Sequence, residues 1–203
     1  MKSLLKIIGV LLLSALLGGG AALLELRSVR LDSDMMIKNG CWQVNPKMDL
    51  KQNDKQRAHI AVKGLFALRE SEVLYFIASE DSDGEPLTAE NDYELVGVEP
   101  NARYWSYTMY GKDYFLIPNE SKIYSFNLDD VSYIAQDTLN PEISANAQKA
   151  YSIAISSESK DGNWLPSGQE DQFHILLRMY NPAPEVYNNL EGVTLPSIKK
   201  IER

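Results

Sequence analysis

Residues 103–110 read Arg-Tyr-Trp-Ser-Tyr-Thr-Met-Tyr, and this stretch decides the fold class of the 203-residue chain. It is rich in aromatic residues, which favour strands, and it contains neither glycine nor proline. Successive side chains of a strand point to opposite faces, so alternate residues share a face. One face would carry Arg103, Trp105, Tyr107 and Met109, and the other Tyr104, Ser106, Thr108 and Tyr110.

Six further stretches have a similar strand-forming composition, at residues 73–78, 93–98, 114–117, 123–126, 151–156 and 173–180. Turn-forming segments separate them, at residues 81–84, 111–113, 118–119 and 160–163. Short strands joined by polar turns are typical of two packed sheets. The sequence therefore predicts a mainly β fold, an antiparallel, jelly-roll-like β-sandwich with one or two accessory helices.

The segment before the first of these strands has a different pattern. Residues 27–48 are predicted to be extended, with a turn at Asn39-Gly40. One helix is predicted over about residues 54–68, with Asn53 or Asp54 as its N-cap. Its apolar residues recur at helical spacing and are Ala58, Ala61, Val62, Leu65 and Leu68.

The N-terminus contains an apolar segment of membrane-spanning length. Residues 7–24 form an 18-residue run without a charge or a proline. As a helix this run spans about 27 Å, close to the roughly 30 Å hydrocarbon core of a bilayer. A cleavable signal peptide has an apolar core of only about 7–15 residues, and no clean cleavage site precedes a polar start here. The pattern favours a retained transmembrane anchor over residues 1–26, followed by an exported domain over residues 27–203.

Flanking charges say little about the orientation of this anchor. Lys2 and Lys6 precede the apolar run, whereas Glu25, Arg27 and Arg30 follow it, so positive charge is nearly balanced across it. Long domains, however, translocate largely regardless of flanking charge. We therefore predict a single-pass protein of the bacterial inner membrane whose domain lies on the periplasmic side.

Charge and cysteine content limit the possible functions. The net charge of −8 at pH 7 repels nucleic acid phosphates, so nucleic acid is not a predicted partner. Cys41 is the only cysteine, which excludes an intramolecular disulfide. Between Gly40 and Trp42, this thiol is predicted to be a small buried side chain rather than a nucleophile.

Three groups of residues occur together in a characteristic order. The first covers residues 64–76 with 81–87, and the second is the strand at 103–110. The third is Asn-Trp-Leu-Pro at 163–166, Leu-Arg-Met-Tyr-Asn-Pro at 177–182 and Leu-Pro-Ser-Ile at 195–198. This set resembles the DUF1214 family, whose members end in the pattern N-W-L-P … L-R-x-Y-x-P … L-P-x-I. The resemblance covers roughly residues 42–198.

The resemblance implies a fold more than a function. The family is similar to the C-terminal, jelly-roll-like half of larger bacterial proteins that also carry a DUF1254 domain. We expect this chain to be a short, membrane-anchored member without the DUF1254 domain. The resemblance implies no catalytic activity that can be assigned to particular residues of this chain.

The signatures of common catalytic and metal sites are missing from the sequence. It has no G-x-S-x-G motif, and the two histidines, His59 and His174, do not fall at metal-ligand spacing. Residues 81–84, Asp-Ser-Asp-Gly, begin like a calcium loop but lack its downstream ligands. A carboxylate-rich turn explains them without an ion. We therefore predict no metal and no cofactor.

Two arginines on predicted strands are the most distinctive charged residues. Arg103 and Arg178 lie among aromatic and apolar residues, where a cation needs a partner. Each either pairs with a carboxylate or stacks on a ring as part of the structure, or grips an anionic ligand. The predicted ligand-binding residues are Arg103, Trp105, Asn163, Trp164, Arg178 and Tyr180. The tryptophans either offer platforms to a sugar or fill the core.

Three functions from different classes remain open on the sequence, and the third is a structural subunit of an envelope complex whose glycine-rich N-terminal helix contacts other helices. The leading hypothesis is a non-catalytic, membrane-tethered binding or interaction module of the bacterial envelope. Its partner would be an envelope protein or a small anionic or carbohydrate ligand. The alternative is a hydrolase-like enzyme that acts on a carbohydrate, an ester or another small envelope substrate in a cleft near Arg103 and Arg178.

Overall fold

A computed structural model describes residues 2–28, 36–44, 68–134 and 149–202. The helix predicted over residues 54–68 lies outside this range except for Leu68, and so does His59. The chain divides into two units, residues 1–35 with 47–68, and residues 36–46 with 69–203. In the first unit, Lys2–Ser28 form helix α1. Its segment Lys2–Leu24 is long and apolar enough to cross a membrane.

The second unit is mainly β, as the sequence predicts. A six-stranded sheet has the order β1-β2-β3-β9-β5-β6, and a four-stranded sheet has the order β10-β4-β7-β8. The strands are β1 (Ile37–Asn39), β2 (Trp42–Val44), β3 (Val73–Ala78), β4 (Asp92–Val98), β5 (Ala102–Gly111), β6 (Ser125–Asn127), β7 (Ala150–Ser156), β8 (Trp164–Pro166), β9 (Phe173–Pro182) and β10 (Ser197–Ile201). Two short accessory helices follow β9, namely α2 (Pro184–Tyr187) and a 3₁₀ helix (Leu190–Gly192).

Strand β9 is the centre of the larger sheet. It pairs antiparallel with β3 on one side and with β5 on the other. Arg178 therefore lies between Tyr75 of β3 and Ser106 of β5. The pairing of β7 with β8 is parallel, whereas the other strand pairs are antiparallel.

The core lies between the two sheets. On β9 the core face carries Phe173, Ile175, Leu177 and Met179, which are all buried. They share one cluster with buried residues of both sheets, among them Trp105, Tyr107, Leu95, Tyr151 and Ile153. Burial of apolar area at about 25 cal/mol per Å² makes this cluster the main source of stability.

One predicted strand does not form. Residues 114–117 contribute only an isolated bridge between Leu116 and Tyr110. The amide of Phe115 is bonded instead to the Asp113 carboxylate, and Tyr114 adopts a φ of 64°. This left-handed conformation interrupts the extended backbone that a strand needs.

The predicted turn at Asn39-Gly40 is confirmed. Gly40 has a φ of 61° and joins β1 to β2 in a hairpin. Glycine adopts this conformation without steric cost. The adjacent Cys41 is buried and free, and burial raises the pKa of its thiol above the ordinary value. A thiol in this state is a poor nucleophile.

Candidate functional site

The six residues predicted to bind a ligand do not converge on one place. Arg178 and Tyr180 share the outer face of β9, because the residues between and beside them face the core. Trp105 lies on the opposite face of the same sheet and is fully buried. By the alternation of a strand, Arg103 belongs to the same face of β5 as Trp105, but its side chain is exposed near the start of the strand.

All three tryptophans are buried, so of the two alternatives that the sequence left open they take the core-filling one. Trp42 donates from its indole nitrogen to the carbonyl of Pro196 at 2.7 Å. Trp105 stacks on Tyr151 with ring centroids 5.2 Å apart. Trp164 donates to the carbonyl of Ser156 at 3.1 Å. These three indoles are buried in the packed interior, so none of them exposes a ring face on which a sugar could stack.

The side chain of Asn163 connects two segments of backbone through hydrogen bonds. Its amide nitrogen donates to the carbonyls of Ser132 at 2.7 Å and Ser152 at 2.8 Å. Its amide oxygen accepts from the backbone nitrogen of Ser132 at 2.8 Å. The side chain therefore ties the 131–134 segment to β7. These contacts account for Asn163 without a ligand.

Arg178 lies in a different environment, on a face rich in tyrosine. Its guanidinium donates to Thr108 Oγ1 at 2.7 Å and to the Tyr110 hydroxyl. The guanidinium carbon lies 5.6 Å from the centre of the Tyr110 ring. Two hydroxyls and an aromatic ring therefore fix an arginine that is only partly exposed.

We use the name tyrosine face for this outer surface of β3, β9 and β5, at one end of which Tyr104 and Tyr180 lie with ring centroids 5.9 Å apart. Its members are all buried or partly exposed: Tyr75, Tyr104, Thr108, Tyr110, His174, Arg178 and Tyr180. The face is therefore neither fully solvated nor fully packed, the environment in which ligand sites are usually found.

The charge of Arg178 has no carboxylate partner within the described part of the chain. The ion pairs there are Lys38–Glu80, Lys149–Glu99 and Lys160–Asp92. Burial is the main cause of the raised pKa of Tyr75. The charges of Tyr180 and Tyr110 raise it further, whereas Arg178 lowers it, and no acidic residue acts on it. In a chain of net charge −8, the centre of the tyrosine face is thus locally positive.

The hydrogen bonds around Arg178 leave mainly donors free. Thr108 and Tyr110 accept from the guanidinium, so their own hydroxyl protons point elsewhere. A guanidinium has five N–H groups, of which these two bonds use two. The raised pKa keeps the Tyr75 hydroxyl protonated at neutral pH. A cluster of donors around a cation fits a group with only acceptors, such as a carboxylate.

A second polar group lies further along the same face. Ser79 Oγ and His174 Nδ1 are 2.8 Å apart, and the Tyr114 ring stacks on the imidazole at 4.9 Å. Burial lowers the pKa of His174 below its ordinary value, so the imidazole is neutral at neutral pH. Tyr114 is itself more than half exposed and holds a left-handed backbone conformation.

The acidic loop after β3 is built as a turn. The Asp81 carboxylate is buried and accepts from the backbone nitrogens of Asp83 at 2.9 Å and Glu85 at 3.0 Å. Ser82 joins the loop to β10 through two bonds with Ile198. Within the described ranges, no group of three or more histidine, cysteine or acidic residues could hold a metal.

Sequence reasoning missed Tyr75, Tyr104, Thr108 and Tyr110 as neighbours of Arg178. The alternation in residues 103–110 already puts three of them on one face. Their proximity to Arg178 depends on the pairing of β9 with β5 and β3, which the sequence pattern does not determine. The strand order was therefore the missing information.

Fold and site together define a mainly β domain of two sheets with an aromatic, arginine-bearing outer face, joined to a helix of membrane-spanning length. The chain belongs to the DUF1214 family, described as protein of unknown function, whose model matches residues 72–184. The family resemblance seen in the sequence is thus confirmed. No curated protein sequence matches the chain.

Two solved structures that match this chain come from Vibrio parahaemolyticus and Burkholderia cenocepacia. The crystal structure of the VPA0106 protein from Vibrio parahaemolyticus matches with a TM-score of 0.56 and 23% identity. The match covers 75% of this chain and 36% of that protein, so this chain spans about a third of its length. A second crystal structure, of an uncharacterised protein from Burkholderia cenocepacia, has a TM-score of 0.41 and 16% identity over 64% of this chain and 29% of that one.

Proposed function

We propose that this chain is a membrane-anchored, non-catalytic binding module of the bacterial envelope. Its ligand carries an anionic group that Arg178 holds on the tyrosine face. One observation supports the proposal above others. Arg178 is partly buried, is fixed by two hydroxyls, and has no carboxylate partner within the described residues of an acidic chain.

The partial burial of the Arg178 charge favours the binding of an anion. Transfer of a cation away from water is costly unless another group compensates its charge. Neutral hydroxyls and a ring compensate the guanidinium only in part. A carboxylate ligand would complete the compensation and form charge-assisted hydrogen bonds, about twice as strong as neutral ones. A site with fixed donors also loses little entropy when it binds.

The proposed location follows from helix α1. Its segment Lys2–Leu24 would cross the bacterial inner membrane once, with Lys2 and Lys6 on the cytoplasmic side. The long domain after it would then be periplasmic, because long domains translocate largely regardless of flanking charge. The tether would limit the module to ligands or envelope proteins near the membrane surface.

Hydrolysis is a second candidate function, and one observation favours it. Ser79 Oγ lies 2.8 Å from His174 Nδ1, and burial keeps that imidazole neutral, so it could accept the hydroxyl proton. Within the described residues, no carboxylate is bonded to the other imidazole nitrogen. A test is hydrolysis of p-nitrophenyl esters by the full chain. Activity that Ser79→Ala removes supports an enzyme, whereas equal rates with and without that substitution exclude this pair as a catalyst.

The binding proposal is tested with the full chain in detergent micelles. Thermal unfolding is followed during titration with galacturonate, benzoate or inorganic phosphate, with glucose as a neutral control. A ligand that binds only the native state stabilises it by about 2.7 kcal/mol at a hundred times Kd. We expect at least one anion to raise Tm and glucose to leave it unchanged.

Two arginine variants make the test specific. Arg178→Gln should abolish the rise in Tm, because it removes the positive charge and the N–H donors of the guanidinium group. Arg103→Gln is the matched control, since Arg103 is an exposed arginine on the same sheet. It should bind like the parent chain. The proposal is wrong if no anion stabilises the parent chain, or if Arg178→Gln binds with unchanged affinity.

A further inference from the structure

We infer that the ligand of the tyrosine face is a linear acidic oligosaccharide, held by its carboxylate at Arg178 and by sugar rings on tyrosines at both sides. The inference rests on the proposed function and adds the class and the length of the ligand. It comes from the order of aromatic groups along β9 and its neighbours.

The aromatic groups form an elongated row rather than a single pocket. The Tyr104–Tyr180 pair lies two residues from Arg178 on β9, about 7 Å along the strand. The stacked Tyr114–His174 pair lies four residues away in the other direction, about 14 Å. Arg178 and Tyr110 lie between them. The row therefore extends about 20 Å, longer than one sugar or one small acid.

The chemistry of this row fits sugars. A tyrosine ring offers an apolar face to the C–H groups of a pyranose, and its hydroxyl bonds to the sugar hydroxyls at the edge. Tyr75, Tyr104 and Tyr180 lie on adjacent strands, with their rings partly exposed. Burial is the main cause of the raised pKa of Tyr75 and of Tyr104, and the carboxylates of Asp129 and Asp130 add to the rise at Tyr104. The acidic sugar is therefore placed at Arg178, and a neutral ring at Tyr104.

The same row fits other long anions less well. Only Leu176 and Ile77 are aliphatic among the residues at its centre, which is too little apolar surface for an acyl chain. A nucleic acid would meet an acidic chain with a single arginine at the row, against the many phosphate contacts such binding needs. A glycan in which a single sugar carries a carboxylate needs one cation and several rings.

The experiment measures Kd by calorimetry for maltooligosaccharides of one to six units in which a single sugar is a uronic acid, with the full chain in detergent micelles. We expect Kd to fall at least tenfold between the monomer and the tetramer, as rings beyond the arginine become occupied. Neutral maltooligosaccharides of equal length should bind at least tenfold more weakly. Equal affinity for neutral and acidic chains would overturn the inference.

Ring-removal variants locate the additional contacts. Tyr104→Ala and Tyr114→Ala should each reduce the gain in affinity with chain length. Tyr104→Phe should retain most of the gain in affinity with chain length, because the aromatic ring remains. Tyr124→Ala is the matched control, since Tyr124 is also exposed but lies outside the tyrosine face. A gain with length that persists in both alanine variants would contradict the arrangement.

The design separates the two proposals. If the monomer binds through Arg178 but longer chains bind no better, the oligosaccharide inference is wrong and the binding proposal stands. If neither monomer nor oligomer binds and phosphate and benzoate also fail, the proposed function is wrong, and this inference with it.

Discussion

The hydroxyls of Tyr107 and Tyr151 lie 2.6 Å apart in the core and connect the two sheets. Tyr107 belongs to β5 of the larger sheet and Tyr151 to β7 of the smaller one. Burial raises the pKa of both hydroxyls well above the ordinary value. They therefore stay protonated at neutral pH, and one hydroxyl donates to the other.

Removal of one hydroxyl of this pair should cost more than removal of both. Tyr107→Phe alone leaves the Tyr151 hydroxyl buried without its partner, a cost of about 1–3 kcal/mol. The double variant, Tyr107→Phe with Tyr151→Phe, leaves no orphaned group in this pair. Its loss should be smaller than the sum of the two single losses. Thermal unfolding of the four chains gives the coupling, and strict additivity would contradict a shared hydrogen bond.

Asn163 should affect stability and leave ligand binding unchanged. Asn163→Ala removes three hydrogen bonds to the backbone of Ser132 and Ser152. At about 1 kcal/mol for each bond, the loss is about 3 kcal/mol. Hydrogen exchange at the Ser132 amide should accelerate, because that amide loses its acceptor. A variant of normal stability that fails to bind anions would instead put Asn163 in the ligand site.

The sequence predicted the fold better than the site, and the reason is physical. Alternation in residues 103–110 is a local property: it separated the strand into two faces, and the face that carries Trp105, Tyr107 and Met109 is the buried one. Short strands at or next to a sheet edge, such as β1, β2, β8 and β10, carry little periodic signal in three to five residues. They form because a neighbouring strand supplies hydrogen bonds.

The site depends on contacts that are distant in sequence. Thr108 and Arg178 are 70 positions apart, and only the pairing of β5 with β9 brings them together. The six predicted ligand-binding residues were chosen by motif. Asn163 and Trp164 were therefore grouped with Arg178, although β8 and β9 belong to different sheets. Local patterns assign a face to each residue, whereas strand order decides which faces meet.

His174 should make stability depend on pH. Burial lowers its pKa in the folded chain below the ordinary value of 6.5. Above pH 6.5 neither state holds the proton, so the folded chain carries no penalty. As the pH falls from 6.5 towards the folded pKa, the unfolded chain takes up a proton that the folded chain does not, and stability decreases.

The measurement isolates this histidine. In a His59→Gln background, His174 is the only histidine left, because the chain has two. The fall in Tm between pH 7 and pH 5 should be smaller after the further change His174→Gln. Above pH 7 the difference in Tm between the two chains should not change with pH. An equal fall in both chains would show that other groups cause it.

Gly97 should tolerate no side chain. A Cβ built on this residue of β4 would lie 2.8 Å from the Pro196 Cβ and 3.2 Å from the Tyr151 hydroxyl. Neither neighbour moves freely, since the Pro196 carbonyl accepts from Trp42 and the Tyr151 hydroxyl is bonded to Tyr107. Gly97→Ala should therefore destabilise the domain by about 1–3 kcal/mol, the usual cost of overpacking a core.

A second substitution tests the cause of that loss. Pro196→Ala keeps the Cβ and the carbonyl that Trp42 uses, but frees the backbone from the proline ring, so the segment can shift away from β4. The double variant, Gly97→Ala with Pro196→Ala, should then lose less stability than the sum of the two single losses. Urea unfolding of the four chains measures this coupling. A simple sum would mean that the clash is relieved elsewhere, and that β4 and the 195–196 segment are not held at a fixed distance.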